Sequence, residues 1–324
     1  MMHVNAEGLR EDGLKEDFAF LPPSPHDTNS RLSIERRTTM EKTRSIKQVV
    51  TGSDQVDGAG VRLVRVLGPR TTADFDPFLM LDAFDSRNPD DYIRGFPWHP
   101  HRGIETVTYL IAGDIEHGDS LGNQGHILDG GCQWMTAGSG IIHQEMPQAC
   151  PRMLGLQLWI NLPRRDKWAQ PQYRDLNTAK IPLVSEDSGT VRVISGRYRD
   201  IQGATQGDYV KATVLDVALQ PDSDWSIPVD PQETVFIYLV EGTGLFDQGS
   251  TRLASHRAVR FEDGDRFAIQ AGPTGVRFVF FAGQPLHEPI AWGGPIVMNT
   301  QEELDQAFAE LESGTFVRQA QQER

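Results

Sequence analysis

At 324 residues the chain exceeds the usual size of one domain, and 38% hydrophobic against 23% charged residues is the balance of a globular protein, not of a disordered one. A formal net charge of -14 repels phosphate backbones and argues against direct nucleic-acid binding; a role beside DNA would need a protein partner. No run approaches the roughly 18 apolar residues of a membrane span, the first residues carry no apolar signal-type run, and the expected location is the cytoplasm.

Residues 1–45 are polar, carry Pro22, Pro23 and Pro25, and show no apolar periodicity, so they read as a mobile tail that cannot repay its ordering by burial. Met40 opens MEKTRSIKQVV, directly before strand-like sequence, and a functional start at that residue is expected; N-terminal sequencing of the natively expressed protein tests it. From Val61 onward, short runs such as VRLVRVLG, ETVTYLIAGD, GLQLWINLP, YVKATVLDVAL and VRFVFFAG alternate with Gly, Pro, Asn and Asp. Even spacing of strands and turns with almost no helical periodicity predicts a mainly β protein of antiparallel barrels or sandwiches.

TVTYLIAGDIEHGD and TVFIYLVEGTGLFD are alike, which predicts a duplicated barrel with its seam near Pro163 to Leu176. The expected division is a tail over 1–45, a metal-binding domain over 46–170 and a metal-free domain over 171–324. Thr300 and Glu303 form a capping-box signature, and Leu304, Ala307, Phe308 and Leu311 follow at helical spacing, so the last domain should end in a short helix. Cys132 and Cys150 match neither a disulfide framework nor a CxxC motif.

The densest chemical signal is GFPWHPHRGIET. On a strand, residues two apart point to one side with Cα atoms about 6.6 Å apart, so His99 and His101 can converge on one ion. His143 and Glu145 repeat that spacing after TAGSGII, and strands facing each other across a barrel would supply three imidazoles and a carboxylate. Such a set suits Fe, Mn, Co, Ni, Cu or Zn in the divalent state and leaves open positions on an octahedral ion. Glu105 is the competing carboxylate, but its Cα would lie about 13 Å from that of His101 on a regular strand, which favours Glu145 as the ligand and gives Glu105 a supporting role. Phe78, Met80, Met135 and Trp159 are expected to line the pocket or its core, and His117 and His126 to lie in a solvent-facing connection, with lining the pocket as the alternative. Arg102 is expected to pair with an acidic neighbour, with steering of an anion into the site as the alternative.

The runs DPFLMLDAF, GFPWHPHRGIETVTYLIAGD, QWMTAGSGIIHQEMP, GLQLWINLP and GGPIVMNTQEEL resemble the signature blocks of the pirin family, from about Val50 to Ala309. The resemblance implies two stacked cupin barrels, a bicupin, with iron in the first barrel on His99, His101, His143 and Glu145 and none in the second. It further implies an Fe(II)-dependent dioxygenase cleaving a flavonol such as quercetin with O₂, with Glu145 taking the substrate's hydroxyl proton. The alternative is an iron-redox-dependent regulator that binds a transcription factor or metabolic enzyme. The oligomeric state is left open.

Overall fold

The computed structural model describes residues 41–318; the expected tail up to residue 40 and the expected start at Met40 lie outside them. In the N-terminal lobe a seven-stranded antiparallel sheet runs Gln172–Leu176, Cys132–Thr136, Ile104–Ala112, Met153–Asn161, Phe78–Ser86, Val61–Leu67, Ser53–Asp57. Facing it is a four-stranded sheet in the order Phe96–His101, Ile141–Pro147, Ile115–Asp119, Gln124–Ile127. Pro97 and Pro100 place Phe96–His101 at an edge of that small sheet, because proline cannot donate to a second neighbour. Hydrogen bonding stops at such edges, so the N-terminal lobe is a sandwich of two facing sheets and not the closed barrel expected.

The C-terminal lobe is one nine-stranded sheet. Its strands Thr234–Phe246 and Arg266–Gly283 are 13 and 18 residues long, and their pairing slips between Leu239 and Glu241 and between Gly242 and Gly244. Such irregularities bend a strand, which lets one sheet supply both walls of the lobe. Trp225, Phe261, Phe267, Phe278 and Phe280 fill its interior. The two look-alike segments differ in the structure: the first supplies most of Ile104–Ala112 and then Ile115–Asp119 in the smaller sheet, whereas the second is the single strand Thr234–Phe246.

Between the lobes lies a shared apolar core. Phe75 and Phe78 of the first meet Phe236 of the second edge-on at 5.2 and 5.1 Å, and Phe236 stacks on Phe281 at 4.6 Å. A buried polar anchor crosses it: the Tyr109 hydroxyl donates to Asp216 at 2.6 Å, and Arg277 forks onto the same carboxylate at 2.9 and 2.6 Å.

Sheet membership departs from chain order at three places. Ile46–Val50 pairs with Arg257–Phe261 in the C-terminal sheet, while Gln172–Leu176 pairs with Cys132–Thr136 in the N-terminal one. The segment after Gly283 crosses back to the first lobe and carries the helix Gln301–Glu312. Its capping box is present: the Thr300 hydroxyl accepts from the Glu303 N–H at 3.2 Å, and Glu303 accepts from the Thr300 N–H at 3.0 Å. Leu304 and Ala307 are buried, while Phe308 remains exposed. Among the described residues no helix is long and apolar enough to cross a membrane.

Candidate metal centre

Strand alternation aims the site. Along Ile141–Pro147 the odd residues are buried and the even ones partly exposed, so His143 and Glu145 face the lobe interior. Phe96–His101 and Ile141–Pro147 do not face each other across a barrel, as the sequence suggested; they are hydrogen-bonded neighbours, and His143 pairs directly with His99. Directly opposed residues bring their side chains closest, which explains the tight cluster. Ring centroids are 4.8 Å apart for His99 and His101, 4.3 Å for His99 and His143, and 5.0 Å for His101 and His143. One nitrogen from each lies within 4.8 Å of the others, a group that can hold a metal ion.

Hydrogen bonds at the far side of two rings select the tautomer. Nδ1 of His99 lies 2.9 Å from the Pro97 carbonyl and Nδ1 of His101 lies 3.0 Å from that of Pro295. A carbonyl only accepts, so each Nδ1 carries the proton and each Nε2 keeps its lone pair. Burial, followed by the neighbouring His99, pushes the His101 imidazolium down to about 3, and burial drives that of His143 well below its ordinary value. Both are therefore neutral near pH 7, the form that binds metal. His143 is fully buried with neither ring nitrogen partnered. Orphaned buried polar atoms in a cluster of imidazoles are what a metal ion would satisfy, so the residues fit the ion.

Glu145 stands outside the trio. The pairing of its strand slips between His143 and Glu145, and its carboxylate accepts from the Thr108 hydroxyl at 2.8 Å and from the Gln157 amide at 2.6 Å. Those two residues belong to a polar row across the large sheet, in which successive strands place Gln133, Thr108, Gln157, Asp82 and Arg65 side by side. Arg65 grips both oxygens of Asp82 at 2.9 and 2.8 Å and reaches Asp57 at 2.7 Å, which keeps its guanidinium firmly charged.

Glu105 lies on the opposite face of its strand from Thr108, toward the second lobe. Its Oε1 accepts from the Thr136 hydroxyl at 2.7 Å, and burial raises its pKa to about 7. The ordinary value is 4.5, so the folded state binds the extra proton between the two pKa values and stability falls as pH rises through that window. Above pH 7 the cost reaches about 3 kcal/mol at 1.36 kcal/mol per unit. Glu105→Gln should therefore gain stability over the wild type in urea melts at pH 8 and lose most of that advantage at pH 4.5; a pH-independent difference would contradict it.

A cavity of about 650 Å³ opens beside His99 and His101, walled by Met80, Phe96, Trp159 and Trp292 and edged by Asp57, Arg65 and Asp82. Trp159 meets His101 edge-on at 4.9 Å, and its ring lies 5.8 Å from that of Trp292 at a tilt of 33°. Of the expected lining residues, Met80 and Trp159 are there; Phe78 belongs to the inter-lobe core and Met135 is buried beneath the site. A larger recess of about 820 Å³ opens on the C-terminal lobe beside Trp225 and Arg266, and no histidine lines it. Arg102 is fully buried and pairs with Glu310, away from the cavity.

The Pirin model matches residues 60–160 and the Pirin C-terminal cupin domain model matches residues 214–317. Human Pirin is 37% identical over 278 residues, covering 84% of this chain and 93% of that protein. The chain belongs to the pirin family. A Pseudomonas aeruginosa relative, named provisionally as a quercetin 2,3-dioxygenase, is 41% identical over 284 residues, covering 86% of this chain and 99% of its own. A crystal structure of quercetin 2,3-dioxygenase from Acinetobacter baumannii is similar at 29% identity and a TM-score of 0.78, covering 85% of this pirin chain and 99% of that one.

Several site residues escaped the sequence reading. His117 is buried in Ile115–Asp119, its ring stacked on Tyr173 at 4.5 Å and 5.5 Å from that of His143, whereas His126 is half-exposed beside Asp114. The alternation in IEHGD was the available signal for His117. Gln157, an amide between two leucines in the run GLQLWINLP, was a comparable signal for a buried polar contact.

Proposed function

We propose that this pirin is a metal-dependent dioxygenase that opens the ring of a flavonol of the quercetin type with O₂, with Fe(II) as the leading metal and Ni, Co, Mn, Cu or Zn compatible with the donor set. One observation carries the reading: three imidazoles converge on one point, and two of them, His99 and His101, stand at the wall of an aromatic cavity. Its volume falls in the roughly 300–1,000 Å³ that suits a compact organic ligand. The names of the Pseudomonas and Acinetobacter proteins support the same chemistry.

His99, His101 and His143 would hold the ion, with Glu145 completing the set. When bound, the ion supplies Lewis acidity and open positions for the two reactants. The protein's own contributions are orientation and proton transfer. Trp159 and Trp292 offer flat apolar faces to a planar ring system, and Asp57, Asp82 and Arg65 offer acceptors and donors to phenolic hydroxyls at the cavity edge. Each Glu145 oxygen retains a lone pair beyond its bond to Thr108 or Gln157, so the carboxylate is held in place and can take the flavonol's hydroxyl proton.

The test is anaerobic loading with Fe(II), followed by quercetin and O₂. Loss of the flavonol absorbance with release of carbon monoxide is the expected result. Absence of turnover that depends on added metal would discard the enzyme in favour of a binding role.

A further inference from the structure

The segment that follows the second lobe returns to the first and closes around the strand of His101. The Pro295 carbonyl that accepts from His101 Nδ1 lies 194 residues away in the chain. Ile296 bridges Arg102, and the Val297 N–H donates to the Arg102 carbonyl at 3.1 Å. The Val297 carbonyl accepts from buried Lys167 at 2.9 Å, whose ammonium also donates to Gly103 O at 2.9 Å and Asn161 Oδ1 at 2.5 Å. Gly103 has φ +77°, and any Cβ there would collide with the Val297 carbonyl, so the two backbones meet with nothing between them.

Arg102 fastens the far end of this segment. Its guanidinium lies between Trp168, at 5.0 Å, and Phe316, at 4.2 Å. Nε donates to the Ser139 carbonyl at 2.7 Å, and Nη2 donates to the Phe316 carbonyl at 2.9 Å and lies 2.7 Å from a Glu310 oxygen. Burying a guanidinium completely is costly unless it is paired. Here its partners are the turn before His143 and the C-terminal segment, so the cation ties that segment to the two metal-site strands.

We propose that Arg102 is a positioning residue for the metal: by clamping Glu310 and Phe316 it holds the C-terminal segment against its own strand, which keeps the Pro295 carbonyl on His101 and the Nε2 lone pair aimed at the trio. This inference rests on the trio being a metal site. It assigns to the end of the chain a part in metal retention that local packing alone would not require.

The experiment uses the full chain loaded with Co(II), whose visible absorption reports ligand geometry. Release to a chelator is timed for the wild type, Arg102→Ala, Arg102→Lys and Phe316→Ala, beside thermal melts of each metal-free protein. Loss of an outer-shell partner to a metal ligand typically costs 10–100-fold in affinity, so release from Arg102→Ala should be about 10–100-fold faster with an altered Co(II) band. Arg102→Lys, which keeps the charge between the rings, and Phe316→Ala, which keeps the charge and loses one ring, should fall between. Phe267→Leu, deep in the second lobe, serves as a variant destabilised elsewhere and should release Co(II) at the wild-type rate. Wild-type release rates in all three clamp variants overturn the proposal, as does equally fast release from Phe267→Leu at equal thermal loss. A wild type that takes up no Co(II) overturns the metal reading itself, a separate result.

Discussion

His143→Leu should strengthen the metal-free protein and strip it of metal in one step. The imidazole is fully buried with one donor and one acceptor unmatched, and an unsatisfied buried polar group costs about 1–3 kcal/mol. Leucine is close in size and carries no polar atom, so the chelator-treated variant should melt above the chelator-treated wild type. With metal present the order should reverse, because the trio loses the residue that both other rings face; affinity should drop by more than the 10–100-fold typical of an outer-shell change. Elemental analysis of purified protein and paired melts with and without Fe(II) read both signs. Retention of metal by the variant would remove His143 from the ligand set.

Phe236→Ala should cost about 3–5 kcal/mol, the usual range for truncating a buried aromatic side chain. Phe236 touches Phe75 and Phe78 of one lobe and stacks on Phe281 of the other, so the void would open in the core they share. The loss should be felt on both sides. Amide hydrogen exchange should show Ile104–Ala112 and Arg266–Gly283 losing protection together, as strands that open only through one global event do. Loss confined to the C-terminal strands would mean that the lobes unfold separately.

What was legible in the sequence was whatever a period of two encodes. The pairs His99/His101 and His143/Glu145 could be placed on one face each from spacing alone, and the terminal helix from its capping box. Register could not be read, because pairing partners are set by contacts between distant residues. Hence the histidine strands were expected to oppose each other and proved to be neighbours, and the slip after His143 that takes Glu145 to Thr108 and Gln157 had no local signature. Strand-like sequence was expected only after Val50, and nothing in the five residues Ile46–Val50 says that they pair with Arg257–Phe261. Trp292 and Pro295 belong to a run whose role depends on crossing to the other lobe.

That crossing has a consequence for how the molecule is made. The ribosome delivers His99, His101 and His143 long before Pro295, Glu310 and Phe316, so a nascent first lobe holds its imidazoles without the carbonyl that fixes one of them. Metal captured at that stage would sit in an unfinished shell. Secure loading belongs to a chain in which Pro295, Glu310 and Phe316 are already in place, and a chain cut before Pro295 would keep every histidine of the centre with a weakened hold on the ion.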